Sequence, residues 1–351
     1  MFVKIQHFRP AALYRIRIFL YYIYSDNLFS EDKELKEPNK KMSELIKKSG
    51  GLFWKTVLLV LLPVLVINCY IFYSNYGSVV NDYTKIDAFD FDNVTDANYL
   101  TDFTDALLSV QQAGNTDLNA TDIVFYILNI VLSVFIDGFL IIFAVYLMFH
   151  KEYKIRNMVI ITIAKCFSVI FFGIIASWAL SYVTSAADST ALMLSCFARA
   201  AAGGSKIAPF MLGVIIASSV IHGGIAYFLL SGVMMLVSYC TIAGVSGACR
   251  WFVAPQYVFE ILRGKKFRQL LHFLLPTLLA YFIPYVLNGL SMYTDVYTGL
   301  VITAVSVTMQ TVFNAMLWFR AVPDFYELEK ESGIKERIRD FKENAGKNIN
   351  E

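Results

Sequence analysis

The sequence predicts an all-α membrane protein, a polytopic bundle of about six transmembrane helices. Of its 351 residues, 57% are hydrophobic and 17% are charged, whereas a soluble domain is about half apolar and a quarter charged. Several apolar runs are long enough to cross a hydrocarbon core of about 30 Å. Lysine and arginine residues cluster at the ends of these runs and not on a polar domain surface, so no nucleic-acid partner is expected.

Residues 1–52 form a basic leader and linker. Met1–Tyr24 contains four basic residues and no acid, which predicts an amphipathic helix on an anionic membrane surface. Met42 opens the stretch MSELIKKSGGLFWK, which is typical of the start of a membrane protein. Two alternatives therefore stay open: residues 1–41 are a translated leader, or translation starts at Met42.

Residues 53–320 form the predicted membrane domain. The six spans are expected at about 53–73, 123–149, 158–182, within 209–249, at 270–290 and at 298–319. The apolar stretch 209–249 crosses either once, as a long helix, or twice, and one crossing is the simpler interpretation. Its glycine and serine residues predict close contacts between helices. Residues 190–204 are too short to span, which favours a separate interfacial helix on the outer surface over a re-entrant segment.

The long loop 76–121 carries eight aspartates against a single Lys85, and its lack of basic residues places it outside. Apolar residues from Tyr99 to Val110 recur at helical spacing, which predicts one helix that caps the bundle or lies on the outer leaflet. The stretch DAFDFDNVTD invites a calcium interpretation. Because it lacks the glycine and terminal glutamate of an EF-hand loop, a solvated acidic loop is expected and no metal site is predicted.

A short amphipathic helix is expected on the inner membrane surface, between Pro255 in its first turn and Gly264 just past its end. A basic cluster at 263–268 follows and assigns this end of the fifth span to the cytoplasm. Both termini are then cytoplasmic, in a plasma or inner cell membrane. Residues 321–351 form a charged tail, in which Ile334, Ile338 and Phe341 predict either a short helix or a solvated segment.

Three ionisable residues lie inside predicted spans and form the candidate polar site: Asp137, Lys165 and His222. Ionisable side chains in a membrane are costly, so each is a functional hypothesis by default. Asp137 and Lys165 are expected at similar depths on neighbouring helices. They form either a neutralising structural pair or part of a proton or ion path. His222 is either a proton relay or a group hydrogen-bonded to a neighbouring helix.

The fifth and sixth predicted spans also carry polar or helix-breaking residues. Pro276 and Pro284 predict kinks in the fifth span, either plain kinks or an opening of the kind found at transporter sites. Gln310 and Asn314 share one face of the sixth span, which predicts hydrogen bonds to other helices.

The sequence contains no GxGxxG, Walker, HExxH or GxSxG motif, and its five cysteines are scattered. No catalytic residue, cofactor or metal ligand is therefore predicted, and the protein is not expected to be an enzyme. The lysine-led stretch SELIKKSGGLFWK and the segment FVAPQYVFEILRGKKFRQLL resemble a group of bacterial six-span proteins of unknown function. This group includes the membrane-anchor region of some glycerophosphodiester phosphodiesterases. The resemblance covers about Met42 to Arg320 and implies no catalytic residue.

The function expected from these observations is a non-enzymatic scaffold or a subunit of a membrane assembly. Its partners would be the lipid bilayer and another membrane protein. The alternative is a small transporter or permease subunit that uses the Asp137/Lys165 pair. An intramembrane enzyme is a third and weaker alternative.

Overall fold

The computed structural model describes residues 42–76, 79–80, 83–110, 112–113, 120–149, 155–291 and 293–337. The predicted leader helix of Met1–Tyr24 lies outside these residues, as does the predicted tail beyond residue 337. The all-α architecture is confirmed. The helices are α1 Met42–Lys48, α2 Leu52–Tyr76, α3 Thr84–Ala88, α4 Tyr99–Val110, α5 Ala120–Met148, α6 Ile155–Ala202, α7 Ala208–Ser246, α8 Ala254–Ile261, α9 Lys266–Thr277, α10 Ile283–Ser291 and α11 Val296–Ser332.

Two small elements complete the described part of the chain. A π-helical segment, Leu278–Phe282, joins α9 to α10 and is called the π segment below. Strands β1 (Val79–Val80) and β2 (Gln112–Ala113) pair antiparallel and bring the two ends of the acidic loop together.

Six helical stretches are long and apolar enough to cross a membrane, as predicted. They are Leu52–Ser74, Ile123–Met148, Ile155–Val183, Ala208–Ser246, Lys266–Ser291 and Val296–Ser332. The last stretch illustrates how the local sequence sets the ends of a helix. The Asp295 side chain accepts hydrogen bonds from the backbone N–H groups of Tyr297 and Thr298, and Gly333 ends the helix in the left-handed conformation.

Three helices, α6, α7 and α11, are much longer than the membrane requires, with 48, 39 and 37 residues. The segment 190–204 is not a separate interfacial helix, because α6 runs without a break from Ile155 to Ala202 and extends for about 72 Å. After a tight turn at Gly204, whose φ is +98°, helix α7 returns along α6. The stretch 209–249 therefore crosses once, as the simpler interpretation predicted.

The second half of α7 is the central helix of the bundle. From Val237 to Ser246 every residue is buried, so this helix is enclosed on all faces. Its sequence is mostly apolar and its few polar residues form no single face, which agrees with that position, because a helix with no polar face is stable only inside other helices or lipid. The surrounding core extends from Phe53 on α2 to Phe319 on α11, whose rings lie 4.7 Å apart between centroids.

The predicted small-residue contacts of α7 are confirmed in part, because a Cβ at Gly223 would lie 3.7 Å from Phe282 and one at Gly232 would lie 3.9 Å from Leu270. An added Cβ at Gly213 or Gly224 would meet nothing within 4 Å. The closest approaches are at Gly244, near the C-terminal end of α7, where a Cβ would come within 2.8 Å of Ser168 Oγ, and at Gly299 of α11, where it would come within 2.3 Å of the Phe72 ring. The sequence identifies small residues but not which of them face a neighbouring helix.

The six spans alternate in direction, so the described chain begins and ends on one side of the bundle. At this side Lys48 Nζ donates to a carbonyl in the last turn of α5 (2.7 Å), and the Phe149 and Tyr326 rings lie 5.0 Å apart. The Tyr257 hydroxyl donates to the buried Glu329 on α11. We call this side the basic end. It carries α1, α8 and the C-terminal turns of α5 and α11.

The α8 helix has the predicted bounds, with a proline in its first turn and Gly264 at a φ of +78° past its end. Its apolar face, however, does not lie on a membrane surface. Tyr257, Val258 and Ile261 are buried against the protein, and Tyr257 packs near Phe325 of α11. The apolar pattern is the same for lipid and for a protein core, so the sequence could not distinguish them.

Residues 83–110, which include α3 and α4, lie at the opposite end and are called the acidic cap. They pack on the C-terminal turns of α6 and the first turn of α7, called the α6–α7 tip, and form with it a separate small core. Its buried residues are Ile86, Phe91, Ala106, Val110, Leu192, Cys196, Phe197, Ala200 and Ala208. The prediction of one capping helix within the acidic loop is confirmed by α4. The tip of α6 is the surface on which this helix rests.

Two aspartates of the cap bind the α6–α7 tip. Asp92 accepts hydrogen bonds from Ser205 Oγ and from the N–H groups of Lys206 and Ile207 (2.8–3.1 Å). These donors, led by Ile207 N–H, lower the pKa of Asp92 below its ordinary value. Arg199 makes a two-pronged contact with Asp87 (3.1 and 2.7 Å), and this hydrogen bond lowers the pKa of Asp87. Within the described residues, no group of three metal-ligating side chains occurs.

Candidate intramembrane polar site

Asp137 lies in the middle of α5 and faces α11. Its Oδ1 atom accepts a hydrogen bond from Asn314 Nδ2 (2.7 Å) and another from Trp318 Nε1 (2.8 Å). Asn314 and Trp318 are one helical turn apart, so both donors reach the same carboxylate oxygen. Trp318 is buried, whereas Asp137 and Asn314 are partly buried.

The predicted pair of Asp137 with Lys165 does not form. All side-chain donors to Asp137 among the described residues come from α11. Asp137 and Lys165 do lie at similar depths, as predicted, because Gly138 packs between Thr162 and Val169 of α6, on either side of Lys165. The neighbouring residue thus takes the α6-facing position, and Asp137, rotated by about 100° around the helix, points to α11 instead.

His222 is not part of this cluster. Its Nδ1 atom lies 2.9 Å from the Ser218 carbonyl oxygen and 3.2 Å from Ser218 Oγ, one turn earlier in α7. The ring is exposed. The expected bond to a neighbouring helix is therefore replaced by one within its own helix, and the structure brings none of the three candidate residues together.

The structure adds Tyr281, to which no motif of the sequence pointed. Its hydroxyl donates to Asn314 Oδ1 at 2.5 Å, so Asn314 links Tyr281 to Asp137. The prediction of interhelical hydrogen bonds for Asn314 is confirmed. We call Asp137, Asn314, Trp318 and Tyr281 the polar cluster. Tyrosine is common in this chain, with 21 copies, and the position of Tyr281 between two prolines was the one available signal.

The polar cluster adjoins an irregular backbone. Tyr281 lies in the π segment, which is flanked by Pro276 and Pro284. The N–H of Ile283 bonds to the carbonyl of Leu278, five residues earlier, and Ser306 Oγ of α11 donates to the Pro284 carbonyl at 2.7 Å. The predicted kinked span is thus a locally widened helix. Single π-helical turns occur frequently at functional sites.

The polar cluster contains one carboxylate and no basic side chain. Asp137 is its one carboxylic acid, and its other members are an amide, an indole and a phenol, which form hydrogen bonds in their neutral forms. No described cation pairs with Asp137, and no described donor reaches its Oδ2 atom. The cluster can therefore stabilise a carboxylate through two N–H groups, and its second oxygen is left to bind a proton.

Comparisons of the chain with known protein-family models, with curated proteins and with solved structures give no significant match. The six apolar helices alone establish the class of molecule: a multi-pass, membrane-embedded α-helical protein.

Proposed function

We propose that this multi-pass membrane protein is a small transporter or permease subunit that takes up and releases a proton at Asp137. The observation that carries the proposal is a carboxylate inside an apolar bundle, held by Asn314 and Trp318 and by no cation of the described chain. If position 137 served packing alone, a neutral side chain would be more stable there than an aspartate, because burying an unpaired charge is costly.

The hydrogen-bonding pattern favours a proton over a metal ion as the species bound. A hard cation requires several free oxygen ligands. Here Asp137 Oδ1 already accepts from two N–H groups, and Asn314 Oδ1 accepts from Tyr281. One carboxylate oxygen remains, which is enough for a proton and too little for a cation site.

The π segment gives this site a means of coupling to movement. Tyr281 connects the widened turn to Asn314 and through it to Asp137. Gain of a proton at Asp137 Oδ2 removes the negative charge and weakens the hydrogen bonds that Oδ1 accepts. The irregular backbone linked to these bonds through Tyr281 is the stretch between Pro276 and Pro284. Helices that break near the middle of the bundle are a recurrent feature of transporter binding sites.

The basic end is proposed to face the cytoplasm of a cell in its plasma or inner membrane, with the acidic cap outside. The excess of lysine and arginine residues at the basic end supports this orientation through the positive-inside rule. Transport of this kind requires no catalytic residue, and we propose none.

The test is proton movement through purified protein in liposomes that contain a pH-sensitive dye. A pH gradient is imposed, and valinomycin with potassium dissipates the opposing potential. We expect the interior of wild-type liposomes to acidify faster than that of protein-free liposomes. Asp137→Asn should reduce this rate to the protein-free value, and Lys165→Ala should leave it unchanged. Equal rates in wild type and Asp137→Asn, or a wild-type rate equal to that of protein-free liposomes, would contradict the proposal.

A role as a subunit of a larger membrane assembly is the second candidate, and one observation favours it. At about 58 Å, α7 is nearly twice as long as a hydrocarbon core is thick. Its first half exposes apolar side chains, including Phe210 (70% exposed) and Val220 (69%). Single cysteines at these positions, joined by a bifunctional thiol reagent in native membranes, would capture an adjacent subunit if this role is correct.

A further inference from the structure

A cluster of cations lies at the turn between α8 and α9, at the basic end. Arg263, Lys266 and Arg268 are exposed, and none of them has an acidic partner among the residues that the structure describes. Their neighbour Lys265 differs, because it forms an ion pair with Glu331 of α11. We call Arg263, Lys266 and Arg268 the cationic elbow. No acid of the described chain neutralises its charges.

An apolar stripe begins at the cationic elbow and runs up α9. Phe267, Leu271 and Leu275 are spaced by four residues, so they share one face of the helix, and they are 67%, 48% and 60% exposed. The Lys266 ammonium lies 5.0 Å from the centre of the Phe259 ring, which is also exposed. Positive charge and apolar surface therefore meet at the elbow and continue into the span.

The shape of this surface identifies the kind of ligand that fits it. A soluble anion would use the three cations and leave the apolar stripe uncovered. Plain hydrocarbon would cover the stripe and leave the cations unpaired. A molecule with an anionic head and an apolar tail satisfies both. Because α9 begins a candidate span at Lys266, the cations lie at the depth where phospholipid headgroups are found.

We propose that the cationic elbow and the stripe above it bind an anionic glycerophospholipid. The phosphodiester is bound by Arg263, Lys266 and Arg268, and an acyl chain lies along Phe267, Leu271 and Leu275. Clusters of basic residues beside a membrane span recognise anionic headgroups in this way, and arginine suits phosphate because its planar group can donate two parallel hydrogen bonds. The site is independent of proton binding at Asp137.

The test is lipid binding to the purified full chain, measured by native mass spectrometry after titration with phosphatidylglycerol or phosphatidylcholine of the same acyl composition. The test variant replaces Arg263, Lys266 and Arg268 by glutamine. The matched control replaces three other exposed cations of the basic end, Lys47, Arg156 and Lys330, by glutamine. A third variant, Arg263→Lys with Arg268→Lys, keeps the charge of the elbow.

We expect the wild type to bind phosphatidylglycerol in preference to phosphatidylcholine. The elbow variant should lose about tenfold or more in affinity for phosphatidylglycerol, since each basic residue beside an anionic surface contributes several-fold. The control triple variant should change by less than about threefold. The lysine variant should lose less affinity than the glutamine variant, because it keeps the charge but not the paired hydrogen bonds of arginine. The wild-type comparison of phosphatidylglycerol with phosphatidylcholine tests the proposal even if the elbow triple variant fails to fold.

Three outcomes would overturn the proposal. Equal affinity of the wild type for the two lipids would show that the anionic headgroup is not recognised. An equal loss in the elbow and control triple variants would show a general charge effect. Capture of a protein at this surface in native membranes, together with lipid binding that the elbow variant leaves unchanged, would assign the surface to a protein partner.

Discussion

The contacts of Asp137 predict which residues it is energetically coupled to. Trp318 donates a hydrogen bond to its carboxylate, so the effects of Asp137→Ala and Trp318→Phe on the free energy of unfolding should not add. Hydrogen bonds between membrane helices average about 0.6 kcal/mol and reach about 1.7 kcal/mol, and a charged acceptor strengthens them. We therefore expect a coupling energy of about 1–2 kcal/mol in this double-mutant cycle.

Lys165 supplies the matched control for this cycle. It lies at a similar position along the bundle but does not bond to Asp137, so Asp137→Ala and Lys165→Ala should be additive within about 0.5 kcal/mol. Unfolding can be followed in mixed micelles by titration with a denaturing detergent. The buried cysteines 196, 240 and 249 become reactive to a thiol dye on unfolding, which gives the readout. A coupling to Lys165 larger than that to Trp318 would refute the assignment of Asp137 to α11.

Three further predictions concern packing, pH and orientation. Gly299→Ala should destabilise the protein by about 1–3 kcal/mol, because the new methyl group meets a phenylalanine ring. The control Gly173→Ala, whose methyl group meets nothing within 4 Å, should be neutral or stabilising by up to about 1 kcal/mol. Thermal unfolding followed with a thiol-reactive dye measures both changes. Because binding lowers the pKa of Asp92, its contribution to docking of the acidic cap is present above its unbound pKa and is lost as the pH falls through the lowered value. Hydrogen exchange of α4 amides, corrected for the intrinsic rate, should therefore accelerate below about pH 4, and in Asp92→Asn it should already be fast at pH 7. A cysteine at Asp105 should react with a membrane-impermeant maleimide added outside intact cells and one at Lys266 should not; the reverse pattern would invert the proposed orientation.

The spans were predictable because their signal is local. An apolar run of sufficient length forms a helix in a membrane whatever surrounds it, and the six helices follow those runs. The continuation of α6 was not predictable in this way. The stretch SYVTSAADST interrupts the apolar run with hydroxyl and acidic residues, and it reads as a loop. The helix continues past it to residues that pack against Ile86 and Phe91 of the acidic cap, which are far away in sequence.

The candidate site was predictable in part, for a related reason. An acid within a span is visible in the sequence, and so Asp137 was found. Counting residues along two helices gives relative depth but not the direction in which each side chain points. The sequence therefore indicates the depth of Lys165 correctly, but the ion pair with Asp137 that this depth suggests does not form. Trp318 lies close to the expected end of its span, where tryptophan is common at the membrane surface, and nothing in the sequence alone marked it as a donor to Asp137.

The spacing of the polar cluster along the chain has a consequence for biogenesis. Asp137 is separated from its donors by 177 and 181 residues, so it enters the bilayer long before α11 has been synthesised. During that interval its carboxylate has neither of its mature hydrogen-bond donors, and α7 lacks the helix that closes over it. The partly synthesised protein therefore carries a carboxylate without these two donors until its last span inserts. Completion of that span supplies both donors at once, because Asn314 and Trp318 lie on the same helix.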